Sequence, residues 1–180
     1  MAIPQHPAAR VPPQQLSASF RRWLLATALV AAVLLTTGDP LRNAAVTAGM
    51  FTLELNFGAL PAMLASYDAE TRHLLGFQLG FDFLFMPLYA HGLCLGLVRS
   101  RRARGLSLAG GFDALLWAIW FAAVCDAVEN VAMMLACLGP ATAGQGWAAT
   151  IFAGVKFAIL AFGLLFWLAL LRHPKVRAPA

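Results

Sequence analysis

The sequence predicts an all-α, polytopic membrane four-helix bundle with an interfacial or re-entrant helix between spans 1 and 2. Three observations carry that prediction: an apolar composition, four long runs nearly free of charge, and arginines gathered in alternate loops and the two tails. Of 180 residues, 61% are hydrophobic and 12% charged, against about 25% charged in a soluble domain. Mean hydropathy is +0.73. A chain this apolar excludes a disordered, collagen-like or basic nucleic-acid-binding protein, so no nucleic acid partner is expected. Cys94, Cys125 and Cys137 include no CxxC pair, which argues against a disulfide framework or thiol redox chemistry. No cofactor is expected.

The elements follow in order along the chain. The Pro-containing residues 1–20 read as a disordered cytoplasmic tail, residues 21–172 as a single four-span transmembrane domain, and 173–180 as a second cytoplasmic tail. A span needs about 20 apolar residues to cross a hydrocarbon core about 30 Å thick. Span 1, Trp23 to Gly38, is short at 16 residues, but Arg21 and Arg22 can snorkel and extend it. Span 2, Leu74 to Val98, contains Asp82 and His91 as its only acidic or basic residues. Span 3, Phe112 to Leu138, carries Asp113 at its entry and Asp126 and Glu129 inside. Span 4, Trp147 to Leu171, holds one charge, Lys156. Each helix satisfies its own backbone hydrogen bonds, as a bilayer interior demands.

The arginines then set the orientation. Arg10, Arg21 and Arg22 precede span 1; Arg99, Arg101, Arg102 and Arg104 follow span 2; Arg172, Lys175 and Arg177 follow span 4. Ten of the 13 Lys and Arg thus fall on one side, which the positive-inside rule makes cytoplasmic. Both termini are expected there, in a multi-pass protein of the plasma (cell inner) membrane. Reading span 1 as a signal peptide is disfavoured, because no A-x-A cleavage site follows it and the charge balance needs an even number of retained spans.

Between spans 1 and 2, Asn43 to Ala65 is largely apolar, yet a fifth span there would move the Arg99 to Arg104 cluster outside. Val46, Met50, Leu53, Phe57, Leu60 and Leu64 follow three- and four-residue steps, which predicts an interfacial or re-entrant helix broken or kinked by Pro61. Glu54 and Asn56 lie off that stripe, facing water or protein. Asp68 or Ser66 is a candidate cap for span 2.

An ionisable side chain inside a span costs about 2.5 to 3.5 kcal/mol at the helix centre, so it marks a functional site by default. Counted from the outer ends, Asp82, Asp126, Glu129 and Lys156 all lie roughly 12 to 18 Å deep at 1.5 Å per residue. Three antiparallel helices bring charge to one level. Residues three or four apart share a helix face, which groups Asp126, Glu129, Asn130 and Met133 on span 3, and Gln78, Asp82, Phe85 and Tyr89 on span 2. Three carboxylates against one ammonium leave a charge of −2 if all ionise, so a proton or a cation is expected with them. The competing reading is a static polar network that fixes helix register.

Other chemistries lack candidates. The five serines (Ser17, Ser19, Ser66, Ser100, Ser107) lie outside the spans, which leaves no intramembrane serine nucleophile. His91 and Cys94 share a face but lack a third ligand, so no metal site is expected. Cys125 reads as a packing residue. Gly76-x3-Gly80 and Gly92-x3-Gly96 on span 2 allow close backbone approach, internally or in a homo-oligomer.

The strings Asp82-Phe83-Leu84-Phe85-Met86-Pro87-Leu88-Tyr89 and Asp126-Ala127-Val128-Glu129-Asn130 resemble D-F-x-F and D-x-x-E-N motifs of uncharacterised bacterial four-helix integral membrane proteins. That resemblance covers roughly Glu54 to Lys156 and implies no activity. A looser similarity of plan exists with small eukaryotic sterol-isomerase-like membrane proteins, whose bundles bury carboxylates against a lipid or amine ligand; it is an analogy of fold.

The expectation is an acidic pocket opening toward the outer leaflet, which binds or transports a proton, a cation or a lipid-like or amine ligand. Asp82, Asp126 and Glu129 supply negative charge, Asn130, Gln78 and Tyr89 hydrogen bonds, Lys156 a counter-ion, and Glu54 part of a lid. The alternatives are an intramembrane acid/base enzyme, isomerase-like, with Glu129 or Asp126 as catalytic group, and a structural subunit of a membrane complex. Membrane lipids are the expected surroundings.

Overall fold

In the computed structural model, which describes residues 4–108 and 111–172, the chain is an all-α four-helix membrane bundle. The elements are α1 (Pro7–Arg10), α2 (Pro13–Gly38), a 3-10 turn (Asp39–Leu41), α3 (Met50–Glu54), α4 (Leu60–Ala65), α5 (Ala69–Arg102), α6 (Gly111–Leu138) and α7 (Ala143–Arg172). Helices α2, α5, α6 and α7 are each long and apolar enough to cross a membrane. They contain the four expected spans and extend beyond them. Asp68 caps α5 by accepting the Thr71 amide at 2.8 Å. The hydrogen bonds to backbone and hydroxyl hold its exposed carboxyl below the usual carboxylate range.

Helix α5 meets each of the other three long helices, and α6 packs along both α5 and α7. Met86, Ala90, Leu97, Leu116, Ile119 and Ala123 form one buried core toward the arginine-rich end. Leu53, Leu60, Leu64, Leu75, Leu79 and Met133 form a second toward the opposite end. Helix α2 differs, for it packs along α5 and scarcely meets α7. One contact closes that gap at the arginine-rich end, where Phe20 meets Trp167 edge to face with ring centroids 5.9 Å apart. Gly96 makes room for the pair. A Cβ there would lie 2.9 Å from the Trp167 ring and 3.0 Å from that of Phe20. Gly92 and Gly96 therefore serve packing within the chain, whereas a Cβ on Gly76 or Gly80 would meet nothing within 4 Å.

The expected disordered tail is corrected over its described part. His6 caps α1, its Nδ1 accepting the Ala8 amide at 3.2 Å, while its own amide donates to Asp113 Oδ1 at 3.0 Å and its ring meets Trp117 edge to face. Trp117 Nε1 donates to the Pro4 carbonyl at 2.9 Å, and Arg102 donates to the carbonyls of Ala9 and Val11. Ala8 and Ala9 are buried. Burial pushes the His6 imidazole down to about 4, against a smaller upward pull from Asp113. Span 1 gains too, because Pro13 suits the first helical turn and lets α2 start ten residues before Trp23. Residues 173–180, expected as the second tail, lie outside the described residues.

The segment from Asn43 to Ala65 holds two short helices, α3 and α4, rather than one continuous helix. It breaks between α3 and α4, where Phe57 and Gly58 both take positive φ, 49° and 83°. Pro61 is not the breaker, for it sits in the first turn of α4, where a missing N–H is harmless. Phe57 of the expected apolar stripe is exposed, while Val46, Leu53, Leu60 and Leu64 are buried.

Candidate functional site

Lys156 of α7 is the centre of a buried charge cluster. Its ammonium lies 2.8 Å from Asp126 Oδ1 and 2.9 Å from Glu129 Oε2 on α6, and 3.5 Å from Glu54 Oε2 on α3. Tyr89 on α5 donates to the other Asp126 oxygen at 2.9 Å. Asn130 Nδ2 donates to Asp82 Oδ2 at 2.8 Å and to the Leu79 carbonyl at 3.3 Å. Glu129, Asn130, Asp126 and Lys156 are all buried. Helical repeat explains the convergence: Asp126, Glu129 and Asn130 share one face of α6, as do Asp82 and Tyr89 on α5.

The fourth carboxylate arrives through local backbone chemistry. Asn56 is buried, donates to the Leu53 carbonyl at 2.8 Å, and accepts the amides of Gly58 at 2.9 Å and Leu60 at 3.2 Å. The Phe57 amide donates to Thr150 Oγ1 at 2.9 Å, which ties the segment to α7. Gly146 allows that approach, since a Cβ there would lie 3.0 Å from Gly58 Cα. Glu54 is thereby held over Lys156.

Four carboxylates thus surround one ammonium, one more than the three counted within the spans. They are not equivalent. Asp126, Glu129 and Glu54 pair with Lys156, whereas Asp82 is held by the Asn130 amide and forms no ion pair among the described residues. Glu129 Oε1 and Asn130 Oδ1 are buried with no hydrogen-bond partner among those residues.

A cavity of about 360 Å³ opens from this cluster. Glu54, Asp82, Tyr89, Asp126 and Lys156 form its polar head. Its remaining lining is almost wholly apolar, from Leu24 on α2 and Phe85 and Leu93 on α5 to Phe157, Leu160 and Leu164 on α7, and it ends at Phe20 and Trp167. From Lys156 to Trp167 along α7 is about 16 Å at 1.5 Å per residue. Because α2 and α7 scarcely touch, the cavity is open sideways between them. The expected opening away from the arginine-rich end is corrected: α3 and α4 cover that side, and the apolar part runs toward the arginines.

Most expected site residues meet here, but not all line the cavity. Glu129 and Asn130 stand behind Lys156 and Asp82. Gln78 is elsewhere, and its assignment to the site is corrected: its amide donates to Thr37 Oγ1 and to the Leu34 carbonyl of α2, so it fastens α2 to α5. His91 packs against Trp23, and the Cys94 thiol faces the Leu116 carbonyl. Sequence reasoning missed the apolar walls on α2 and α7, because a leucine that lines a cavity and one that faces lipid carry the same signal.

Three carboxylates on one ammonium, a phenol on the second Asp126 oxygen and a fourth carboxylate, Asp82, with no ion pair among the described residues can bind a cationic group and pass a proton. No protein-family model matches the chain, and no curated protein or solved structure matches it either.

Proposed function

We propose that this protein is an integral membrane binding protein for lipid-like amphiphiles, whose intramembrane carboxylates hold a cationic, amine-bearing head. The single observation that carries the reading is the laterally open cavity between α2 and α7, with its acidic head and apolar walls. Its volume falls at the low end of small-molecule sites, about 300 to 1,000 Å³, which suits a single-chain molecule. One ammonium against four carboxylates leaves negative charge that an amine compensates. Among the described residues, Asp82 is the carboxylate that faces the cavity with no ion pair of its own. Entry is sideways from the bilayer, and Glu54 on α3 covers the head. In this reading the protein sits in the plasma (inner) membrane, and the distribution of its arginines supports both termini being cytoplasmic.

A second reading is favoured by the chain Tyr89 to Asp126 to Lys156 beside the cavity: an acid/base enzyme that moves a proton on an apolar substrate. Mass spectrometry of molecules that co-purify with wild type and with Asp82→Asn tests the binding reading. An amphiphilic amine present only in wild type supports it. Identical profiles contradict it, and a pair of double-bond isomers that interconvert in the purified wild type favours the enzyme.

A further inference from the structure

At the arginine-rich end, beyond the Phe20 and Trp167 rings that close the cavity, lies a separate groove of about 310 Å³ between α2, α5 and α7. Ser17, Arg99, Ser100, Arg102, Arg104 and Leu171 are among the residues that line it, and none of its lining residues is Asp or Glu. Arg99 and Arg102, three apart, share one face of α5. Arg102 donates from its two terminal nitrogens to the carbonyls of Val11 and Ala9, at 2.6 and 2.7 Å, which engage its fork but leave its charge uncompensated, so the open fork at the groove is that of Arg99. Arg99 is exposed, with Nε 3.4 Å from Ser17 Oγ and its guanidinium 5.4 Å from the Phe20 ring centroid. Neither forms an ion pair among the described residues.

We propose that this groove binds the phosphate of an anionic phospholipid at the membrane boundary. Orientation by the positive-inside rule requires arginines in the loop, not their convergence around a groove. Arg101 of the same run illustrates the difference, since its guanidinium turns away onto Phe112, 4.6 Å from the ring centroid. A planar guanidinium fork matches phosphate oxygens, and serine hydroxyls supply further donors. Pro13 and Leu16 of α2 and Leu171 of α7 give the groove apolar edges that continue into the exposed leucines of those helices, a path for acyl chains. This site is independent of the amphiphile cavity, and either can fail alone.

The test reconstitutes the full chain in phosphatidylcholine nanodiscs with or without phosphatidylglycerol, and counts lipids retained after detergent extraction by native mass spectrometry. Arg99→Gln and Arg172→Gln are compared with wild type; Arg172 lies at the same end but outside the groove. Wild type retains phosphatidylglycerol over phosphatidylcholine, Arg99→Gln lowers that retention about fivefold, and Arg172→Gln leaves it unchanged. Equal losses in both variants mean general surface charge and overturn the proposal. So does a wild type without lipid preference, whatever the variants do. A third arm adds inorganic phosphate to phosphatidylcholine nanodiscs; thermal protection there that Arg99→Gln removes supports the same phosphate site with a soluble source.

Discussion

Half of the apolar stretch of α6 is buried inside the bundle, whereas 11% of that of α2 is. The two helices are similarly apolar and similarly long, so hydropathy alone would make them equivalent. Their neighbours make the difference: α6 is packed on two sides and supplies Asp126, Glu129 and Asn130, while α2 leans on α5 and leaves Leu25, Leu29 and Leu35 exposed. In a bilayer, lipid tails are as apolar as leucine, so α2 gains little from further burial and can remain a wall packed on one side, against α5. That one-sided packing leaves the sideways opening. The doubly packed helix carries the charges, and the singly packed one gives access to them.

The strongest way to break this contrast is at Lys156. Lys156→Met leaves Asp126 and Glu129 buried against each other without their counter-ion, and removing one partner of such a set costs about 3 to 5 kcal/mol. A thermal unfolding series in detergent reads the loss; a variant as stable as wild type would mean that the carboxylates do not depend on the ammonium. Next in size is a matched pair of leucines. Leu116→Ala on α6 costs about 2 kcal/mol, the low end for a core deletion because little transfer energy is lost in a bilayer, while Leu29→Ala on α2 stays within about 0.5 kcal/mol. Equal losses would erase the distinction between the two helices.

Asp82→Asn is smaller in stability, about 1 kcal/mol, because the new side-chain oxygen still accepts from Asn130. The smallest effect is at the arginine-rich end. His6 is held neutral by burial, with its imidazole down at about 4 against an ordinary 6.5. Since the folded value is lower, docking of residues 4–12 is fully stabilised above pH 6.5, weakens as pH falls below it, and is lost through pH 4. Protonation removes the acceptor that caps α1. Hydrogen exchange of the Ala8 and Ala9 amides should rise, relative to other amides, across that window in wild type and stay flat in His6→Gln.

The spans, the loop arginines and the common level of four charges along the bundle were legible because each is a local or periodic property of the chain. Asp82, Asp126, Glu129 and Lys156 could be placed from helical rise alone. Gln78 could not, because the same period that groups it with Asp82 also brings it to α2, and only the packed helix decides between them. Glu54 was visible as off the apolar stripe, but its partner was not, since the Asn56 turn and the Gly146 approach that aim it involve residues about 90 positions apart. The docked tail was illegible for a similar reason. Its stabilising groups, Arg102, Asp113 and Trp117, lie about 90 to 110 positions away.

The central claim is that the sideways cavity takes an amphiphile by its cationic head. A thermal-shift titration of the purified protein with a long-chain primary amine, set against the alcohol of the same chain length, tests it most directly. The account predicts that the amine raises the unfolding temperature of wild type, that the alcohol does not, and that Asp82→Asn abolishes the difference. Equal shifts from amine and alcohol, or an amine effect that survives in Asp82→Asn, would contradict it.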